Sequence, residues 1–421
     1  MRIAHGAAWN LAGHFAPLGA ALVAIPFLAA RLGPDRFGFL ALAWALVGYF
    51  SLFDLGIGRT LTRLIANRAQ APHDQTLHEQ VRAGLTLSTV LGVAAGGAIG
   101  ASADWICTAL ILFPTDVSPD AAAGLRWLAA GLPLMTLGAA QRGILEGERR
   151  FDWVNAIRIP VGILTFVAPM IVVANAGGLS WICLSLLVVR LGGVLAQAFA
   201  CRRQSPSMAL PGRVDGRAAK ALLVAGSWMT VSNVVGPLMV YSDRFLIGVI
   251  ASAAAVGYYA APYEAVTRLW ILPAALTGAM FPVLAAAGEA QARAIALRGT
   301  LLILASAVPI SILAAAAAPW WIGAWLGPDH AQLSSGAARW IAIGVALNCL
   351  AYVPLTLLQA RGRADLTGRL HLAELPAYLA ILVPMTREWG IEGAAIAWAA
   401  RCGVDALLLF SMASRAGRGV S

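Results

Sequence analysis

The chain has 421 residues, of which 60% are hydrophobic and only 12% charged, with a mean hydropathy of +0.76, whereas a soluble globular domain carries about a quarter charged residues. The composition therefore excludes an ordinary soluble enzyme and points to a membrane protein. Thirty basic residues outnumber twenty acidic ones and all but Lys220 are arginines, but they lie beside or inside apolar runs and form no single basic stripe, which excludes a nucleic-acid binder.

Apolar runs long enough to cross roughly 30 Å of hydrocarbon predict twelve spans, at residues 8–30, 37–60, 84–106, 121–143, 152–174, 178–200, 220–249, 255–286, 299–326, 336–359, 366–386 and 390–413. The runs are continuous and do not alternate with polar residues, so helices are expected and a barrel is not. The first run covers Ala7 to Ala30 behind Arg2. It exceeds the h-region of a secretion signal and has no small-residue cleavage site, so it is read as a span. On the third span Gly92, Gly96 and Gly100 make a small-residue face suited to close helix packing.

The segments between spans alternate in charge. One set, from Arg2 to Arg418, holds 17 basic residues; the other holds three, Arg31, Arg36 and Arg387. The positive-inside rule then places both termini in the cytoplasm. Trp320, Trp321 and Trp325, with Trp105, Trp181, Trp340 and Trp389, fall near expected outer ends, where amphipathic rings belong. Inter-span segments are too short for a soluble catalytic domain, so no catalytic residue is expected. The five cysteines lack CxxC spacing and the six histidines lack HExxH, so neither a metal nor a cofactor is expected.

The two halves echo each other. Trp9 and Trp228, and Gly38 and Gly257, are 219 residues apart, while Arg190 and Arg401 are 211 apart. The expected fold is an all-α polytopic protein with an N-lobe at 1–200, a basic cytoplasmic linker at 201–219 and a C-lobe at 220–421. Six helices per lobe is an even number, so the lobes share orientation and relate by a pseudo-twofold axis along the membrane normal, as in parallel-repeat transporters.

Ten arginines fall within or at the edges of spans, against five acids there: Asp54, Asp243, Glu264, Glu374 and Asp405. Guanidinium suits bidentate phosphate binding, so a water-filled cationic cavity is expected, with Arg268, Arg190, Arg158, Arg401 and Arg59 as its candidates. Several arginines have a local alternative. Arg59, Arg126, Arg142, Arg339 and Arg369 lie near span ends and can snorkel, while Glu264 with Arg268 and Arg401 with Asp405 are i,i+4 pairs.

The stretch Arg31-Leu32-Gly33-Pro34-Asp35-Arg36-Phe37-Gly38, followed by Phe53-Asp54-Leu55-Gly56-Ile57-Gly58-Arg59, resembles the first two helices of polysaccharide-biosynthesis flippases, the O-antigen-unit translocases of the multidrug/oligosaccharidyl-lipid/polysaccharide exporter superfamily. Asp243-Arg244, Val256-Gly257-Tyr258-Tyr259 and Gly393-Ala394-Ala395-Ile396-Ala397-Trp398 extend the resemblance through the second half. Arg268 to Pro273 also resembles the eighth helix of lipid II flippases, but twelve spans in place of fourteen argue against lipid II as cargo.

The resemblance implies a non-enzymatic flippase of the bacterial inner membrane. Its cargo would be an undecaprenyl-diphosphate-linked glycan, moved by alternating access and coupled to an ion gradient through Asp54, Glu264 or Glu374, with the bilayer and other polysaccharide-assembly proteins as partners. Two rival readings stand beside it. A cation-coupled multidrug exporter of the same superfamily would favour an acidic cavity, and a membrane polymerase or ligase would carry a large basic outer loop.

Overall fold

The computed structural model describes residues 2–52, 57–66, 75–111, 113–204, 211, 235 and 238–416, and every regular element among them is helical. In chain order these are α1 (Arg2–Leu52), α2 (Ile57–Ala66), α3 (Gln75–Ala101), α4 (Ser118–Gly147), α5 (Phe151–Ala174) and α6 (Leu179–Gln204). Then follow α7 (238–250), α8 (Ala253–Thr267), α9 (Ile271–Ala286), α10 (Glu289–Ala316), α11 (Ala318–Leu326), α12 (Pro328–Ala360) and α13 (Ala364–Ala416).

Two of these are too long for one crossing. The 51 residues of α1 would run about 76 Å at 1.5 Å per residue, more than twice the hydrocarbon thickness. The helix breaks at Gly33 (φ 74, ψ 171), and α13 breaks at Trp389 and Gly390. Among the described residues, eight helical stretches are long and apolar enough to cross a membrane. Counting α1 and α13 twice and adding α4 and α7, the chain is an all-α polytopic protein of about twelve spans, as its sequence predicts.

The break in α1 has a second copy. Leu32-Gly33-Pro34-Asp35 recurs as Leu326-Gly327-Pro328-Asp329 between α11 and α12, and Gly327 adopts nearly the same conformation (φ 94, ψ 171). Only glycine populates that region readily. The proline that follows opens the next helix in both cases, since its missing N–H is unneeded in a first turn.

The chain divides into two compact units, Met1–Tyr241 and Ser242–Ser421. In the first, α4 is the hub, with α2, α3 and α6 against it. The Gly92, Gly96 and Gly100 face does pack closely: a Cβ at Gly92 would strike Thr136 Oγ1 and Pro133, and one at Gly96 would lie 2.5 Å from the Ala129 carbonyl. Helix α2 buries Ile57, Leu61 and Ile65, spaced four apart on one face, against Val81, Leu85 and Ile144. Its opposite face turns Arg59 outward.

In the second unit α12 is the hub for α8, α9, α10, α11 and α13. Trp398, fully buried, packs on Gly344 and meets the rings of Tyr263 at 5.4 Å and Trp270 at 6.3 Å. Along α10 the large apolar residues Leu297, Leu301, Leu304, Ile312 and Leu313 are exposed, as a lipid-facing helix requires. Most of the 201–219 linker and the start of the seventh span lie outside the described residues.

Candidate functional site

In the first unit, α4, α5 and α6 enclose a cavity of about 160 Å³. Its lining includes three arginines, Arg142, Arg158 and Arg190, with Gln197, and no carboxylate among the described residues. Gly138, Gly162 and Gly193, one from each of these helices, also line it, and a Cβ on Gly162 or Gly193 would crowd Pro17 or Val161, so these glycines let the helices approach. Arg158 Nη2 donates to Asn155 Oδ1 at 2.7 Å, one turn back on α5, and Arg190 Nη2 reaches Thr165 Oγ1 at 3.5 Å. Both partners are neutral, so they orient the arginines without cancelling their charge. Arg158 Nε is buried with no hydrogen-bond partner among the described residues. The nearest acid in an ion pair is Glu146, whose Oε1 is 3.9 Å from Arg142 Nε in an exposed i,i+4 contact, a geometry that contributes little. Like charges lining one pocket repel, and water or an anion between them relieves that repulsion.

The second unit treats its charges in the opposite way. Arg244, 2% exposed, donates through Nη2 to Glu264 Oε1 at 3.1 Å, while Arg268 Nη2 donates to Glu264 Oε2 at 2.6 Å. The Arg244 guanidinium lies 4.3 Å from the Tyr263 ring centroid, a cation–π contact. Asp243, fully buried, accepts from the Arg244 backbone N–H at 2.7 Å and from the Tyr259 hydroxyl at 2.7 Å. Nearby on α13, His371 Nε2 faces Asp405 Oδ1 at 3.6 Å, and Glu374 joins them. Arg401 places its guanidinium over the Tyr378 ring at 5.6 Å and contacts Cys402 Sγ at 3.4 Å.

Of the five arginines the sequence nominates, then, the structure brings Arg158 and Arg190 together in one pocket. Arg268 stands in a salt bridge, Arg401 belongs to the second unit's aromatic wall, and Arg59 is exposed on α2. Among the carboxylates, Glu264 bridges two arginines and Glu374 lies beside His371, while Asp54 lies outside the described residues. Two participants escape sequence reasoning. Arg142, close to a span end, reads as a snorkelling side chain until α5 and α6 are seen to fold against it. His371 reads as one of six dispersed histidines, although its i,i+3 spacing from Glu374 is the signal that places both on one helix face.

Comparison with known proteins adds lineage to this geometry. A family model described as polysaccharide biosynthesis protein matches residues 3–287. A Shigella flexneri protein described as a candidate O-antigen transporter is 31% identical over 415 residues, covering 97% of each chain. Among solved structures, an inward-facing multidrug resistance MATE family transporter of the MOP superfamily aligns with a TM-score of 0.79 at 16% identity, over 97% of this chain and 99% of that one. A MOP superfamily transporter from Pyrococcus furiosus, whose binding pocket is described as reversed in polarity, aligns at 0.68 and 14% identity, over 97% and 93% of the two chains. At these identities the structural likenesses bear on the fold alone.

Proposed function

The chain belongs to the polysaccharide biosynthesis protein family, and from that premise we propose that this multi-pass membrane protein is a flippase that carries an undecaprenyl-diphosphate-linked oligosaccharide across a bacterial cytoplasmic membrane. The observation that carries the reading is the pocket of Arg142, Arg158 and Arg190, lined by no carboxylate among the described residues. A diphosphate is the part of such a cargo that a set of oriented guanidinium groups recognises, through paired charge-assisted hydrogen bonds. The prenyl tail stays in lipid, and the sugar crosses in a hydrated path. Lobes at 1–200 and 220–421, joined by the 201–219 linker, are the two moving parts, with both termini in the cytoplasm. Glu264, Glu374 and Asp54 serve as the carboxylates through which an ion gradient drives the cycle, and other polysaccharide-assembly proteins are its partners. The reaction breaks no bond, so the chain is a transporter and not an enzyme.

The test uses a flippase-null strain. Each pocket arginine that holds the diphosphate through charged hydrogen bonds contributes about 1.5 to 3 kcal/mol, roughly ten- to a hundred-fold in affinity. Arg158→Ala combined with Arg190→Ala should abolish complementation and leave the lipid-linked oligosaccharide on the cytoplasmic leaflet, at normal protein levels. Arg126→Ala, which removes an exposed pair with Asp104, should complement. Full complementation by the double variant would remove the pocket from the transport path.

A further inference from the structure

The second unit gathers three ligand-bearing side chains, of which the flippase reading uses only Glu374, as one of its coupling carboxylates. His371 and Glu374 are one turn apart on the first half of α13, and Asp405 comes back beside them on the second half, after the break at Trp389 and Gly390. One ligand atom from each lies within 4.8 Å of the other two. Glu374 is 7% exposed and Asp405 4%. Both Glu374 oxygens and Asp405 Oδ1 are buried without a hydrogen-bond donor among the described residues.

The 3.6 Å between His371 Nε2 and Asp405 Oδ1 is too long for a hydrogen bond between these atoms. It is the spacing that two ligands adopt around a small metal ion: bonds of about 2.1 Å at a tetrahedral angle separate their ends by about 3.4 Å. Two carboxylates buried side by side repel, and a shared cation is one of the few arrangements that lets both stay ionised. Imidazole with two carboxylates is a donor set of intermediate hardness, suited to zinc, cobalt or manganese and poorly matched to sodium, which prefers oxygen alone.

We propose that His371, Glu374 and Asp405 form a binding site for a single divalent transition-metal ion within the second unit. Asp405 and Glu374 supply one oxygen each and His371 its Nε2, leaving the remaining positions of the ion to water. Arg401, four residues before Asp405 on the same helix, has its guanidinium over the Tyr378 ring, and its positive charge weakens the ion's attraction to the site. The proposal rests on these three ligands and not on the cargo, so failure to bind metal leaves the flippase reading standing.

The test uses the full-length protein, purified in detergent and stripped with chelator. Cobalt(II) should bind at one equivalent with visible ligand-field absorption, zinc should displace it, and zinc should raise the unfolding temperature. His371→Ala should abolish the cobalt absorption and weaken zinc binding by more than the roughly ten- to hundred-fold that loss of an outer-shell partner costs. His78→Gln, on α3 in the other unit, should leave both unchanged. Glu374→Gln keeps the side-chain shape and should weaken binding similarly, which guards against a fold defect in any one variant. Equal zinc affinity in wild type and His371→Ala would overturn the proposal. So would stabilisation by sodium alone that disappears in Asp405→Asn, since that result assigns the cluster to a monovalent ion.

Discussion

Glu264 Oε2 sits 2.6 Å from Arg268 Nη2, one helical turn apart, so the arginine that stands about midway along its span carries its own counter-ion. The same carboxylate also reaches Arg244 at 3.1 Å. The two arginines are not equivalent: the Arg244 side chain is 3% exposed and that of Arg268 39%. Loss of a buried charged partner costs more than loss of an accessible one. Arg244→Gln should therefore lower stability by about 1 to 3 kcal/mol, and Arg268→Gln by less than about 1 kcal/mol. Thermal unfolding of the detergent-solubilised variants, read by loss of the monodisperse chromatographic peak, ranks them. A larger loss for Arg268→Gln would reverse the assignment of which pair holds the unit together.

The glycine face of α3 makes a graded prediction. Gly96→Leu must displace the Ala129 carbonyl, 2.5 Å from where its Cβ would stand, and Gly92→Leu must displace Pro133 and Thr136. Overpacking of this kind costs about 1 to 3 kcal/mol, so both variants should accumulate poorly in the membrane. At Gly97 nothing lies within 4 Å of an added Cβ, and Gly97→Leu should accumulate like wild type. Immunoblots of membrane fractions at matched expression make the comparison.

Topology can be measured without first removing the native cysteines, because all five are buried, none more than 1% exposed. A cysteine at Asp116 or Asp329 should react with an impermeant maleimide in intact cells. One at Arg149 or Arg361 should react only after lysis. The opposite pattern would invert the orientation drawn from the 17 to 3 division of basic residues.

Asp54 falls five residues before Arg59, a spacing that does not favour an ion pair along one helix. Asp54→Asn keeps the shape and fixes the neutral state. If this carboxylate couples a proton gradient to transport, the variant should bind cargo yet lose acceleration by an imposed pH difference across vesicles. An unchanged response to the gradient would exclude Asp54 as the sole coupling group.

The fold was legible because bilayer thickness and charge alternation act on whole segments, and a dozen apolar runs average out local error. Even the close packing of α3 could be read from three glycines four apart, although its partner, α4, could not. The sites were less legible, for a physical reason. An arginine's environment is set by residues far away in the chain: Arg142, Arg158 and Arg190 meet only once three helices pack, and the Glu264 that neutralises Arg268 is also claimed by Arg244 from the preceding helix. Spacing along one helix correctly suggested Glu264 with Arg268. It also suggested Arg401 with Asp405, and could not show that Asp405 Oδ1 lies 3.6 Å from His371 Nε2 as well, a neighbour contributed across the bend in α13.

The bend at Gly33 bears on how the protein is made. A single residue outside helical geometry joins the first span to the second, which leaves no slack for one to cross the bilayer while the other waits. The two are therefore best suited to enter the membrane together, as one helical hairpin of 51 residues. Lengthening that junction with a flexible spacer would uncouple the two spans and let each insert on its own.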